Sequence, residues 1–124
     1  MTKTTFTNNA PQNKGVLKMK IATNYEINNK PGMLIRKIAE GENVYTWSVQ
    51  DDMYSDDIYN GTFNQAKTTA KALYAAGKDI TGIALIKLDK DLSADICYRA
   101  MRIEELFDSE KEYKRATTAH NKNA

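Results

Sequence analysis

The stretch from Val44 to Gly77 constrains this chain more than any other, because it joins a strand pattern to a helix pattern with an acidic segment between them. Val44, Tyr45, Trp47 and Val49 form an aromatic and β-branched run. Tyr45, Trp47 and Val49 alternate with Thr46, Ser48 and Gln50, as a half-buried strand requires. Asp51 to Gly61 is too polar to continue it. Thr62-Phe63-Asn64-Gln65 then has the spacing of a capping box, in which Thr and Gln each satisfy the other's free backbone donor. Phe63, Ala66, Ala70, Leu73 and Gly77 recur every three or four residues on one helical face, and Gly77 suits the position just past the helix end.

The remainder is read around this unit. Residues 1–15 have almost nothing apolar to bury and are expected to form a flexible tail, as are residues 117–124. A single α+β domain is expected over residues 16–116. Leu17, Met19, Ile21, Tyr25 and Ile27 suggest a strand with one wet side, Pro31-Gly32 a type II turn, and Met33 to Ala39 the returning antiparallel strand. Ile80 to Leu88 is apolar on both faces, the mark of a central strand. Residues 94–107 fit strand or helix spacing, with strand favoured over Asp95–Ile103; Glu104 to Ala116 is compatible with a short surface helix. The expected fold is an antiparallel sheet of four to five strands in the order β-β-β-α-β-β, with one main helix packed on one face. Three strands followed by a helix opened by Gly61-Thr62-Phe63 resembles the order in small DNA-reading domains that lay a three-stranded sheet in the major groove. Those domains carry Arg where this sheet has mostly Lys and uncharged residues, and no family is identified.

At 124 residues, with 18 basic and 16 acidic side chains, the formal charge is +2, which excludes neither nucleic acid nor protein partners. Its distribution is more informative. Residues 1–50 hold six Lys and one Arg against three Glu, whereas Asp51, Asp52, Asp56 and Asp57 cluster without a base. Cys97 stands alone, so no intramolecular disulfide and no zinc site can be assembled, and no secretory or membrane-spanning run occurs. A cytoplasmic setting is expected. The excess of Lys over Arg and the abundance of Asn are a bias that AT-rich coding produces as easily as selection does, pointing to an AT-rich bacterial, phage or plasmid genome.

No catalytic set can be completed. His120 falls in the expected tail, Cys97 has no core histidine to activate it, and the six glycines form no phosphate-binding motif. The acidic segment does not follow the calcium-loop pattern. No cofactor or metal is implied. The leading expectation is a small non-enzymatic protein that modulates or inhibits a larger protein or nucleoprotein complex, plausibly an anti-CRISPR-like or anti-restriction-like product of a phage or mobile element. Asp51, Asp52, Tyr54, Asp56, Asp57 and Tyr59 would bind the partner, with Ile58 as a further apolar anchor. The alternative is DNA or RNA binding by a basic sheet face carrying Lys18, Lys20, Arg36 and Lys37, with Tyr25, Tyr45 and Trp47 weighed as stacking platforms and read rather as core. A third is a metal-dependent phosphodiester enzyme that recruits Asp95 or Glu104 to the Asp cluster. Lys67 and Lys71 read as a solvated helix face. Met33–Ala39, as an edge strand, would suit pairing with a second copy, so a homodimer stays open.

Overall fold

The computed structural model describes residues 19–51 and 60–124 and places them in an α+β fold around a mixed, mostly antiparallel sheet. Its centre is the pair β2 (Asn43–Asp51) and β4 (Ile80–Leu88), antiparallel over nearly their whole length from Val44 opposite Leu88 to Asp51 opposite Ile80. β5 (Ala94–Arg102) flanks β4, and β1 (Met19–Ile21) flanks β2. The two-residue β3 (Asn60–Gly61) pairs with the same side of β2, further along. The strands expected at Tyr45–Val49, Ile80–Leu88 and Asp95–Ile103 are therefore present.

Period-two alternation divides the sheet into two buried faces. Tyr45, Trp47 and Val49 of β2 join Ile83 and Leu85 of β4 under α3 (Phe63–Ala75). Val44 joins Ala84, Ile86 and Leu88 on the opposite face, beneath Leu34. This explains why β4 carries no polar stripe: both of its sides are covered. Ala66 and Ala70, fully buried, bring α3 close to the sheet, and Phe63 meets Trp47 edge-to-face at 5.1 Å. The Thr62–Gln65 capping box forms as its spacing predicts. At the other end Gly77, at φ +98°, donates to Tyr74 C=O while Lys78 donates to Leu73 C=O, the paired bonds of a Schellman motif.

Residues 19–40 depart from expectation. Leu17–Ile27 is not one strand: β1 ends at Ile21, and α1 (Asn24–Asn29) follows. Thr23 and Glu26 form a second capping box of the same spacing as Thr62 and Gln65, and this local signal overrides the apolar alternation. Pro31-Gly32 is not a type II turn, and Met33–Ala39 is not a strand; both belong to α2 (Pro31–Ala39). Proline at the first helical position gives up a backbone donor that would have no intrahelical acceptor there. Leu34 and Ile38, four residues apart, then face the core, while Ile35 lies 39% exposed. With α1 and α2 as the connection, β1 runs parallel to β2, as a crossover allows and a hairpin does not. The expected β-β-β meander and its edge strand at Met33–Ala39 are thus replaced by a β-α-α-β unit. Helices lie on both faces rather than one.

The C-terminal part also differs. After a 3₁₀ turn at Ile103–Leu106, the helix expected to end near Ala116 runs as α4 (Glu110–Asn123), capped by the Ser109 hydroxyl. Residues 117–123 are its last turns, not a flexible tail. The apolar signal there is weak because the docking face uses Tyr113, Ala116, Thr117 and His120 rather than aliphatic residues.

The Thr23 capping box makes a pH prediction. Partial burial pushes the Glu26 carboxyl up, but the Thr23 N–H and the Lys20 ammonium at 3.1 Å outweigh it and hold its pKa below 4.5. A depressed carboxylate stabilises the fold above its unfolded pKa, and that contribution is lost as pH falls through the folded value. Glu26→Ala is expected to cost about 1 kcal/mol at neutral pH, with solvent screening limiting the ionic part. Urea melts of both proteins should converge as the pH drops below 4.5.

Candidate functional site

The acidic segment follows the end of the central strand β2. Asp51 is the last residue of β2, set opposite Ile80 after an irregularity between Gln50 and Asp51. Asp52, Tyr54, Asp56, Asp57, Ile58 and Tyr59 lie outside the described residues. The chain is gathered again at β3, where Asn60 pairs with Ser48 and Gly61 with Trp47, and immediately afterwards Thr62 caps α3. The fully buried Thr46 hydroxyl lies 3.1 Å from Ala22 C=O and 3.2 Å from Gly61 C=O. Its single proton is shared between these two carbonyls, which brings the end of β1 and the end of β3 to the same point on β2. Sheet pairing thus fixes both ends of the acidic segment.

The basic residues of the alternative reading do not share a sheet face. Lys18 lies outside the described residues. Lys20 is on β1 and pairs with Glu26, whereas Arg36 and Lys37 are on α2, Lys37 lying 3.8 Å from Glu42. Both sheet faces are occupied by helices, so the expected basic platform is not formed. Tyr45 and Trp47 are buried in the core, as strand alternation indicates; Tyr25, expected on that same core face, stands 60% exposed on α1.

The residues weighed for metal chemistry separate as well. Ala94 is opposite Leu88, which is opposite Val44, so Asp95 belongs to the far end of the sheet from Asp51, about 20 Å away by strand rise. Glu104 follows β5 at the nearer end, but its carboxylate is held 3.0 Å from the Arg102 guanidinium. Among the described residues no three His, Cys, Asp or Glu side chains are grouped to hold a metal ion. Cys97 lies in β5 opposite Ile86.

His120 was expected in a mobile tail and instead helps fix α4 to α3. Its ring stacks on Tyr74 with centroids 4.5 Å apart, and its Nδ1 lies 2.8 Å from the Tyr74 carbonyl. A carbonyl only accepts, so Nδ1 carries the proton. The Tyr74 hydroxyl bonds Thr117, and Asn123 donates to Ala75 C=O. Lys67 and Lys71, read as solvated, reach across to Asp108 and Glu112 at 3.8 and 3.7 Å, and Lys71 also covers the Phe107 ring. These contacts advance together along both chains, so α3 and α4 lie side by side and run the same way. The adjacent Tyr74 phenol and burial push the Tyr113 phenol up, against the Thr117 hydroxyl. Only the capping box of α3 among these features has a strong sequence signal; a histidine without a metal or base partner has none.

One open depression of about 420 Å³ lies between the α2–β2 and β4–β5 turns, lined by Ile38, Glu42, Lys87, Leu88 and Lys90 among others. Beside it the Asp89 carboxylate accepts from the Ser93 N–H and hydroxyl and from the Asp91 N–H, which hold its pKa down. These bonds shape a turn.

His120→Ala should lower the free energy of unfolding by about 1 kcal/mol, through loss of one ring stack and one hydrogen bond. Denaturant melts followed by near-ultraviolet circular dichroism check this, and a value indistinguishable from wild type would mean that α4 is not docked through His120. Compared with known proteins, the chain matches no family model, no curated protein and no solved structure.

Proposed function

We propose that this chain is a small non-enzymatic binding protein that modulates or inhibits a larger protein or nucleoprotein assembly, and that it engages its partner through Asp51, Asp52, Tyr54, Asp56, Asp57 and Tyr59. The observation that carries the reading is the placement of this segment. Four carboxylates and the large apolar residues Met53, Tyr54, Ile58 and Tyr59 lie in sequence between the end of the central strand β2 and the return at β3 and α3. Anchoring both ends reduces the ordering entropy that binding would otherwise cost. The carboxylates suit a basic groove, including one that ordinarily holds nucleic acid, and the interleaved Tyr and Ile side chains suit the apolar centre of an interface.

The inhibitory role and a phage or mobile-element origin, directed against host defence, are part of this proposal and draw support from the composition: Lys far exceeds Arg, and Asn is abundant. A cytoplasmic site of action belongs to it too, supported by the lone cysteine. No helix among the described residues is long and apolar enough to cross a membrane.

The test is capture of a partner from lysate of the producing cell's host, with and without nuclease, by wild type and by the Asp56→Lys/Asp57→Lys variant. A stoichiometric protein that survives nuclease treatment and is lost with the variant, while the melting temperature stays unchanged, is the expected result. Equal capture by both would remove the acidic segment as the interface.

A further inference from the structure

α4 is amphipathic in an uncommon sense: its outer face is a row of cations. Its inner side is committed, since Tyr113 and Ala116 pack on the core below α3, and Thr117 and His120 hold Tyr74. At 100° per residue, Lys111, Lys114, Arg115, Thr118 and Lys122 fall within an arc of about 100° centred opposite that inner side. All five are exposed. Glu110 and Glu112 fall at the two flanks of the arc, and no carboxylate lies within it. Glu112 turns inward to Lys71, and Glu110 makes only a solvent-exposed pair with Lys114 at 3.7 Å. Lys111, Arg115 and Lys122 have no ion pair or hydrogen bond from their side chains among the described residues.

We propose that this outer face of α4 is a contact surface for the phosphate backbone of a nucleic-acid duplex. The row spans about 16 Å from Lys111 to Lys122, enough to meet several phosphates along or across a groove. The chemistry of the arc selects among polyanions. It has no large apolar side chain to insert into a lipid surface and no aromatic anchor of the kind that dominates protein interfaces. A bare line of cations fits a linear array of phosphates, positioning the protein without reading base sequence. Elsewhere among the described residues, Lys87 and Lys90 flank Asp89, and Lys37 pairs with Glu42. The proposal rests on the residues of α4 and not on the acidic segment.

Fluorescence anisotropy with a labelled DNA duplex of about 20 base pairs, and with the RNA duplex of the same sequence, tests the proposal. Four phosphate contacts imply that wild-type affinity falls roughly 100-fold between about 50 and 200 mM salt. The Lys111→Gln/Arg115→Gln/Lys122→Gln variant should bind at least about tenfold more weakly at low salt, with the salt slope reduced by about 3. Lys87→Gln/Lys90→Gln should stay close to wild type, as should Asp56→Lys/Asp57→Lys, which separates this surface from the proposed partner interface. Circular dichroism melts show whether each variant folds, and the three substituted side chains touch nothing that holds the fold. Binding of either duplex with this pattern supports the proposal, and the preferred duplex names the source of the phosphates. Absence of wild-type binding to both at low salt, equal loss in the Lys87/Lys90 control, or binding to anionic phosphatidylserine vesicles without duplex binding would overturn it.

Discussion

The antiparallel pairing of β2 with β4 is the constraint on which everything else in this protein rests. Both strands are nearly continuous in burial, so the pair cannot face water on either side and must be covered twice. α3 covers one side through Trp47, Val49 and Leu85, with α4 docked beside it, and α2 covers the other through Leu34. Each helix can be seen as an answer to an apolar face that β2 and β4 would otherwise expose. Gly82 shows how tightly β5 adds to this pair: a Cβ there would overlap the Met101 carbonyl.

Covering both faces moves any binding surface to the rim. A sheet under helices on both sides offers neither a groove-reading platform nor a stacking surface, and Lys20 on β1 does not share a sheet face with Arg36 and Lys37 on α2. Two proposed surfaces remain: the acidic segment that follows Asp51 in sequence, and the cation row on the outer side of α4. They carry opposite charge and are supported by different elements. The two proposals together point to a nucleoprotein target, one surface opposing basic protein and the other opposing phosphate.

The legibility of these features in the sequence follows physical lines. Tyr45–Val49, Ile80–Leu88 and the helix after Thr62 were readable because burial, alternation and capping all agree there. At Leu17–Ile27 they conflict: the odd positions alternate like a strand, while Thr23 and Glu26 carry a capping box, and the local hydrogen bonds prevail. At Pro31-Gly32 the same dipeptide serves a turn or a helix start, and only the packing of Leu34 and Ile38 on β2 and β4 decides. α4 was legible in part, since its inner face relies on ring stacking and on hydrogen bonds to Tyr74, contacts between residues more than forty positions apart that no periodicity records. The cation row is visible as spacing in the sequence but acquires meaning only once the opposite face is known to be buried.

The claim that both sheet faces are closed and that recognition takes place at the rim is tested most directly by amide hydrogen exchange on the protein alone and in complex with the captured partner. In the free protein, β2 and β4 should exchange slowest, as the most deeply buried ladder. Partner addition should slow exchange at Asp51–Gly61, at Glu110–Asn123 or at both, and leave β2 and β4 unchanged. New protection concentrated in Met19–Ala39 or along β4, with none at the two rim segments, would contradict the account.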